Sequence, residues 1–263
     1  MSKLQFDYWM EISYTEPVTE CHYTFKCLPK DTDMQRISEL NIEVTPHHDY
    51  QKSEDAFGNL MIYDNLYCEH NRIGFRISGI AETGLAEGER EKEGASGIYR
   101  YPYGLNKAGD EIKAYFEEQM LDGRSNDQPY QTAFYLMNCL HRDFQYEKGI
   151  TNVNTTAEDA WHFRRGVCQD YAHIYIALCH LAKIPARYVT GMITGEGYSH
   201  AWVEILSDGI WYGMDPTNGC IVSDSYIKIG TGRDASDCMI NKGIIKGNGL
   251  QTQKVVVRVE EIS

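Results

Sequence analysis

The hydrophobic repeat of this chain changes part-way along its length, and that change restricts what it can fold into. Up to about residue 80, apolar side chains recur in part at period two, as in Leu4-Gln5-Phe6-Asp7-Tyr8-Trp9-Met10-Glu11-Ile12. Such a repeat sends one face of a strand into a core and the other toward solvent. Residues 21–28, 37–44, 60–67 and 72–77 read as further short strands, with breaks at Pro29, at Pro46-His47-His48-Asp49 and at Phe57-Gly58-Asn59. Evenly spaced short strands predict a sandwich or barrel-like module. Nineteen tyrosines suit it, because aromatic side chains favour strands. Residues 87–97 are charged and glycine-rich and read as a surface linker; the acidic run Glu87, Glu89, Glu91, Glu93 reads as a solvated loop.

Beyond that linker the spacing turns helical. Ile112, Tyr115, Phe116 and Met120 lie on one face of a helix over 110–121, and Phe134, Met137 and Leu140 on one over 130–141. Phe144-Gln145-Tyr146 reads as a short extended piece. Thr155-Thr156-Ala157-Glu158 has the spacing of a capping box and opens a short helix through Trp161 and Phe163. Tyr171, Ile174, Tyr175, Leu178, Leu181 and Ala182 predict an amphipathic helix that begins at Cys168 and stops before Pro185. Residues 187–193, 200–206 and 210–214 read as strands. After Pro216 the pattern predicts mostly loop until a last strand at 254–262. The chain of 263 residues has room for two cores. The division expected is a β-rich domain over 1–95 and a mixed domain over 96–263.

Composition removes several function classes. A net charge of −13 argues against nucleic acid or anionic lipid as partner, since both require basic surface. No stretch is apolar for long enough to cross a bilayer, and Met1 to Asp7 has no apolar signal-like run. The eight cysteines are irregularly spaced and form no C-x-x-C pair. Free thiols in a reducing cytosol fit this better than a disulfide framework. There is no H-E-x-x-H, and His47-His48 is an adjacent pair whose side chains would diverge on a strand, so no metal site is expected. No glycine-rich phosphate loop precedes a helix, and no cofactor is expected.

Cys168 is the natural starting point for chemistry. A thiol becomes a good nucleophile when ionised, and the unpaired N–H groups and dipole of a helix start favour the thiolate. Arg164 and Arg165 just upstream can add positive potential, and Gly166 leaves room for a backbone to approach. Taking a turn at Ser207-Asp208-Gly209, the strands on either side pair with an index sum near 416. His200 then lies opposite about Pro216, beside Asp215. An aspartate there can accept from His200 Nδ1 and leave Nε2 for the thiol. Each residue alone has a bland reading: a buried small side chain, a strand-end histidine, a turn carboxylate. Their coincidence in register makes the joint bland reading weaker.

Four ordered segments carry a family resemblance: Arg165-Gly166-Val167-Cys168-Gln169-Asp170-Tyr171-Ala172-His173; Ile184-Pro185-Ala186-Arg187-Tyr188-Val189-Thr190-Gly191; Ser199-His200-Ala201-Trp202-Val203-Glu204; and Trp211-Tyr212-Gly213-Met214-Asp215-Pro216-Thr217-Asn218. They resemble bacterial transglutaminase-like proteins. Tyr14 through Asn59 is similar to the β-rich N-terminal domain of that family, and 230–249 with the final strand to its C-terminal extension. The resemblance implies an α+β protein: a sandwich-like N-terminal domain, then a papain-like, transglutaminase-like core whose nucleophile helix packs on an antiparallel sheet. It implies Cys168, His200 and Asp215 as a catalytic triad that transfers acyl groups from peptide or protein amides, with hydrolysis ahead of transglutamination. The Cys168 N–H, the Gln169 side chain and the Trp161 indole are candidate oxyanion donors. Trp202 and Glu204 share the His200 face by alternation, so one of them is expected to border the cleft. Asp170 suits the first helical turn through the dipole and is expected to pair with Arg187. His173 sits at a poor angle to Cys168 and is expected in the core or at the surface. The competing reading is an inactive peptide-binding module; the presence of all three triad positions counts against it.

Overall fold

In a computed structural model describing residues 1–92, 94, 96–121 and 128–262, the period-two pattern becomes strands. Glu93, part of the acidic run, lies outside the described residues. β1 (Ser2–Val18) buries Leu4, Phe6, Tyr8, Met10, Ile12 and Tyr14 and leaves the residues between them partly exposed. β2 (Glu20–Leu28), β3 (Gln35–Thr45), β4 (Gln51–Glu54), β5 (Leu60–Leu66) and β6 (His70–Thr83) follow. The expected linker contains an element of its own, β7 (Glu89–Arg90), which pairs with the edge of the later sheet.

The helices are α1 (Asp110–Gln119), α2 (Pro129–Asp143), α3 (Ala157–Phe163) and α4 (Cys168–Leu181). Between them β8 (Gln145–Tyr146) and β9 (Arg165–Gly166) form a short parallel pair. Thr156 caps α3 by accepting the N–H of Asp159 at 3.2 Å. The expected partner, Glu158, does something else. It lies one position short of the box position, points toward the start of α1, and accepts the N–H groups of Gly109 at 2.8 Å and Glu111 at 2.7 Å. Those are the unpaired donors at the positive end of that helix.

α4 is not amphipathic. Every residue from Asp170 to Cys179 is buried, because α1, α2 and α3 cover the sides that the sheet does not. A helix enclosed on all sides carries apolar side chains all round.

The core sheet runs in the order β14 (Cys220–Ile221), β13 (Ile210–Asp215), β12 (His200–Ser207), β10 (Ala186–Ile193), β15 (Tyr226–Gly232), with β7 on β13. Ala186, Tyr188, Ala201, Val203, Ile205 and Met214 share one core cluster with α4. β15 corrects the expectation of loop after Pro216. Its glycines read as loop in sequence, yet they serve close packing. A Cβ on Gly230 would lie 2.8 Å from Asn59 Oδ1, and one on Gly232 would lie 2.4 Å from Asp237 Cβ. β14 and β16 (Asn241–Lys246) are further strands within the same stretch.

The last strands return to the N-terminal module. β17 (Gln251–Glu261) pairs with β1, and β16 with β2. With β11 (Gly195–Gly197) on β17, the two sheets run β11-β17-β1-β6-β3 and β16-β2-β5-β4. One core cluster joins their inner side chains, where Phe25 stacks on Phe75 with centroids 4.5 Å apart. The expected sandwich is therefore present, and a helix-on-sheet core accompanies it.

On the sheet face away from α4, the structure buries charge. Glu204 accepts from Arg187 Nε at 2.6 Å and from Lys228 Nζ at 2.9 Å. Glu89 joins both cations from β7. Burial pushes the Glu204 carboxyl up, but the two cations outweigh it and hold it below its ordinary value. The expected Asp170–Arg187 pair does not form, because Asp170 lies on α4 and Arg187 on the opposite sheet face. Replacing Glu204 by Ala leaves two buried cations with Glu89 alone. Urea unfolding is expected to show a loss of about 3–5 kcal/mol, and a smaller loss for Glu89→Ala, whose carboxylate is less deeply buried.

Candidate active site

Cys168 is the first residue of α4 and is half-buried at its tip. The geometry of its start comes from Asp170. This carboxylate reaches back to accept the Val167 N–H at 2.7 Å, and it also accepts from the Thr151 hydroxyl at 2.7 Å. Burial raises the Asp170 carboxyl above its ordinary value even so. Gly166 is required here for Asp170 rather than for an incoming backbone, since a Cβ on it would lie 2.4 Å from Asp170 Oδ2. Arg164 stacks on Trp161 at 3.6 Å, and Arg165 pairs with Glu147 at 3.1 Å.

The hairpin that carries His200 differs from expectation by one residue. Its turn is Asp208-Gly209, both at positive φ, and Ser207 pairs with Ile210. The index sum is 417, as in Val203 with Met214. One residue matters, because a slip of one exchanges the faces of a strand. At 416, Asp215 would oppose Ala201 and face away from His200. At 417 it opposes Trp202 and becomes the diagonal neighbour of His200 on one face.

His200 Nε2 donates to Asp215 Oδ2 at 2.7 Å. The ring therefore meets Asp215 through Nε2, not Nδ1. The diagonal offset suits the far nitrogen, and Nδ1 remains for the thiol. Cys168 lies near enough to the same imidazole to act on it electrostatically. Burial pulls the His200 pKa down, but the hydrogen bonds and charges of Asp215 and Cys168 overcome it and raise it to about 10. Asp215 is fully buried. Burial raises its pKa, and the outweighing pull of His200, Tyr226 and Asn218 leaves it lowered.

The other sequence candidates separate. Gln169 Nε2 makes a long contact of 3.4 Å to the Val153 carbonyl. Trp161 is fully buried against Tyr115 and Phe144, its Nε1 without a protein partner. Trp202 borders the site, its ring 6.4 Å from that of His200 at an angle of 28°. Gly191 makes room for it, as a Cβ there would lie 2.3 Å from the Trp202 ring. Glu204 belongs to the ion cluster instead. His173 is a core residue: its Nε2 accepts the Ala235 N–H at 3.1 Å, and burial pushes its pKa down to about 4. Among the described residues no cluster of His, Cys, Asp or Glu is arranged to hold a metal ion, and no helix is long and apolar enough to cross a membrane.

Residues 116–216 match the profile of the Transglutaminase-like superfamily, and residues 4–82 that of the Bacterial transglutaminase-like N-terminal region. The chain thus contains a transglutaminase-like core domain and a bacterial transglutaminase-like N-terminal domain. The fold of this transglutaminase-like protein is shared by the crystal structure of a candidate cysteine protease from Cytophaga hutchinsonii. The TM-score is 0.78 at 22% identity, over 100% of this chain and 92% of that one. An uncharacterized protein of Mycobacterium leprae is 26% identical over 95% of each chain. One of Mycobacterium tuberculosis is 25% identical over 90% of this chain and 86% of its own.

Sequence reasoning gave no role to Asn218 or Tyr226. Asn218 Nδ2 donates to Asp215 Oδ2 at 2.7 Å, and the Tyr226 hydroxyl does so at 2.8 Å. Asp215 Oδ1 accepts the N–H groups of Thr217 and Asn218. A signal existed for the second set, since Asp before Pro-Thr-Asn favours a side-chain-to-backbone turn. Tyr226 lies in the stretch read as loop.

The His200 pKa in this transglutaminase-like protein is raised, so the ring keeps its proton throughout the neutral range. The stability it contributes is fully present below its ordinary pKa of 6.5 and is lost as pH rises through about 10. Asp215→Asn removes the charge that opposes burial. NMR titration of [13Cε1]histidine is expected to show the His200 midpoint falling well below its value in the unmodified protein; a midpoint left near 10 would contradict the assignment.

Proposed function

We propose that this protein is a cysteine-dependent acyl-transfer enzyme acting on peptide or protein amides, with Cys168 as nucleophile, His200 as acid–base and Asp215 as orienter. The observation that carries the reading is the His200 imidazole, held through Nε2 by a buried carboxylate and near enough to the helix-tip thiol of Cys168 to feel its charge.

In the first step the Cys168 sulfur, having lost its proton to His200, attacks the amide carbonyl carbon. The carbonyl π pair moves to oxygen. The N–H groups of Cys168 and Gln169 at the start of α4, which lack an acceptor one turn back in the helix, are suited to receive that oxyanion. The oxyanion then collapses, the C–N bond breaks, and His200 gives its proton to the departing amine. A thioester on Cys168 remains. Water gives a proton to His200 and adds its oxygen to the thioester; collapse releases the acid, and the sulfur recovers the proton. Cys168 is partly open to solvent, which makes water a ready acceptor and favours hydrolysis over transfer to an amine. Its eight unpaired cysteines favour a reducing compartment such as the cytosol.

Labelling with an amide-mimetic thiol probe, read by peptide mass spectrometry, tests the reading. Stoichiometric modification is expected at Cys168, lost in Cys168→Ala and reduced about 100-fold or more in rate in His200→Ala. Comparable labelling of exposed Cys68 would point to a peptide-binding module without catalysis. Incubation with peptide libraries, with and without a primary amine, is expected to give cleavage or deamidation rather than amine incorporation.

A further inference from the structure

Asp215 Oδ2 is unusually crowded. It receives His200 Nε2 at 2.7 Å, Asn218 Nδ2 at 2.7 Å and the Tyr226 hydroxyl at 2.8 Å. One carboxylate oxygen offers two lone pairs, so three donors must share its charge. Asn218 follows Asp215 in the same turn and His200 lies on the adjacent strand β12, but Tyr226 shares neither the Asp215 strand nor its neighbour. It opens β15, which is separated from β13 by β12 and β10. Its side chain spans the end of the sheet to reach the carboxylate. The ring is held on the way: it meets Trp202 edge-on at 5.4 Å and 82°, and lies 6.2 Å from the His200 ring. Trp202 in turn stacks against His200. The phenol, indole and imidazole thus form one packed group around a single oxygen.

We propose that Tyr226 is a positioning residue for acyl transfer, its hydroxyl fixing Asp215 Oδ2 against His200 and drawing off part of the charge that the imidazole would otherwise feel. The inference rests on the acyl-transfer reading of Cys168, His200 and Asp215. Its chemical sense lies in the second half of the first step, when His200 must release a proton to the departing amine. A carboxylate with all its charge turned on one N–H makes the imidazolium a poor acid, and general acid catalysis needs a group that both holds and gives up its proton. Sharing Oδ2 with a neutral phenol keeps the orientation and moderates the pull. Cys220 Sγ lies 3.5 Å from the same hydroxyl and is a weaker partner for it than the carboxylate.

The test compares Cys168→Ala with Cys168→Ala/Tyr226→Phe by [13Cε1]histidine NMR, the His200 signal being assigned by its loss in His200→Ala. In this background Asp215 alone supports the imidazolium. Phe keeps the ring against Trp202 and removes only the donor. The His200 midpoint is expected to rise by about 0.5 pH unit in the double variant. Asn218→Ser removes a different donor from the same oxygen and is expected to raise it likewise, a reading that does not depend on how well Tyr226→Phe folds. A packing role for Tyr226 would lower the melting temperature and leave the midpoint in place. An unmoved or lowered midpoint in either variant overturns the proposal. Failure of the acyl-transfer reading appears elsewhere, as absence of preferential Cys168 labelling in the unmodified chain, so the two failures are told apart.

Discussion

A two-residue turn decides whether this protein has a site at all. Asp208 and Gly209 both sit at positive φ, the geometry that lets a hairpin close over two residues with the twist of its strands. Closing over two residues fixes the pairing of Ser207 with Ile210, and every later pair follows from it. At the far end of that ladder, His200 and Asp215 come to the same face. The imidazole then has a carboxylate on its Nε2 side and feels the Cys168 thiol nearby. A longer turn with the pairing displaced by one would leave each residue intact and the constellation absent. Asp can adopt such a φ at modest cost and Gly at almost none, which is why this dipeptide suits the position.

Burial has opposite consequences on the two faces of the core sheet. Toward α4 it is apolar and ordinary: Ala, Val, Ile and Met side chains against a helix that is enclosed on all sides. On the other face lie Arg187, Glu204, Lys228 and Glu89. Such a cluster adds little net stability over an apolar replacement, yet breaking it is costly, so it acts more on specificity of packing than on total stability. It ties β7, which belongs to the connection from the sandwich, to β10, β12 and β15. Asp215 sits at the end of the same sheet under a similar rule: a buried carboxylate is tolerable there because five donors meet it.

The parts of this arrangement that the sequence announced are those governed by local rules. Period-two alternation in β1, helical spacing in α2, and the stop before Pro185 are nearest-neighbour effects, and each appears where its pattern stands. Cys168 at a helix start, followed by His200 and Asp215 at the two ends of a hairpin, was legible for the same reason. What local rules could not reveal depends on contact between distant segments. Glycines in β15 look like loop until Asn59 and Asp237 are seen packed against them. Glu158 looks like a partner for Thr156 until α1 presents free N–H groups to it. Arg187 was expected beside Asp170, and only the sheet face decides for Glu204. Tyr226 escaped notice because its partner lies across two intervening strands.

The return of the C-terminal strands has a consequence for biosynthesis. β1 stands between β6 and β17, so it has one neighbour made soon after it and another made only after the core. While the ribosome is still producing the transglutaminase-like core, β1 has only β6 to pair with and keeps its other edge bare over a long, alternating, partly apolar strand. Bare edges of that kind invite pairing with other chains. The nascent protein thus carries an adhesive border until β17 has been made and pairs with β1. Shortening the tail would leave that border permanently open, so solubility during expression is governed by residues far in sequence from the strand they protect.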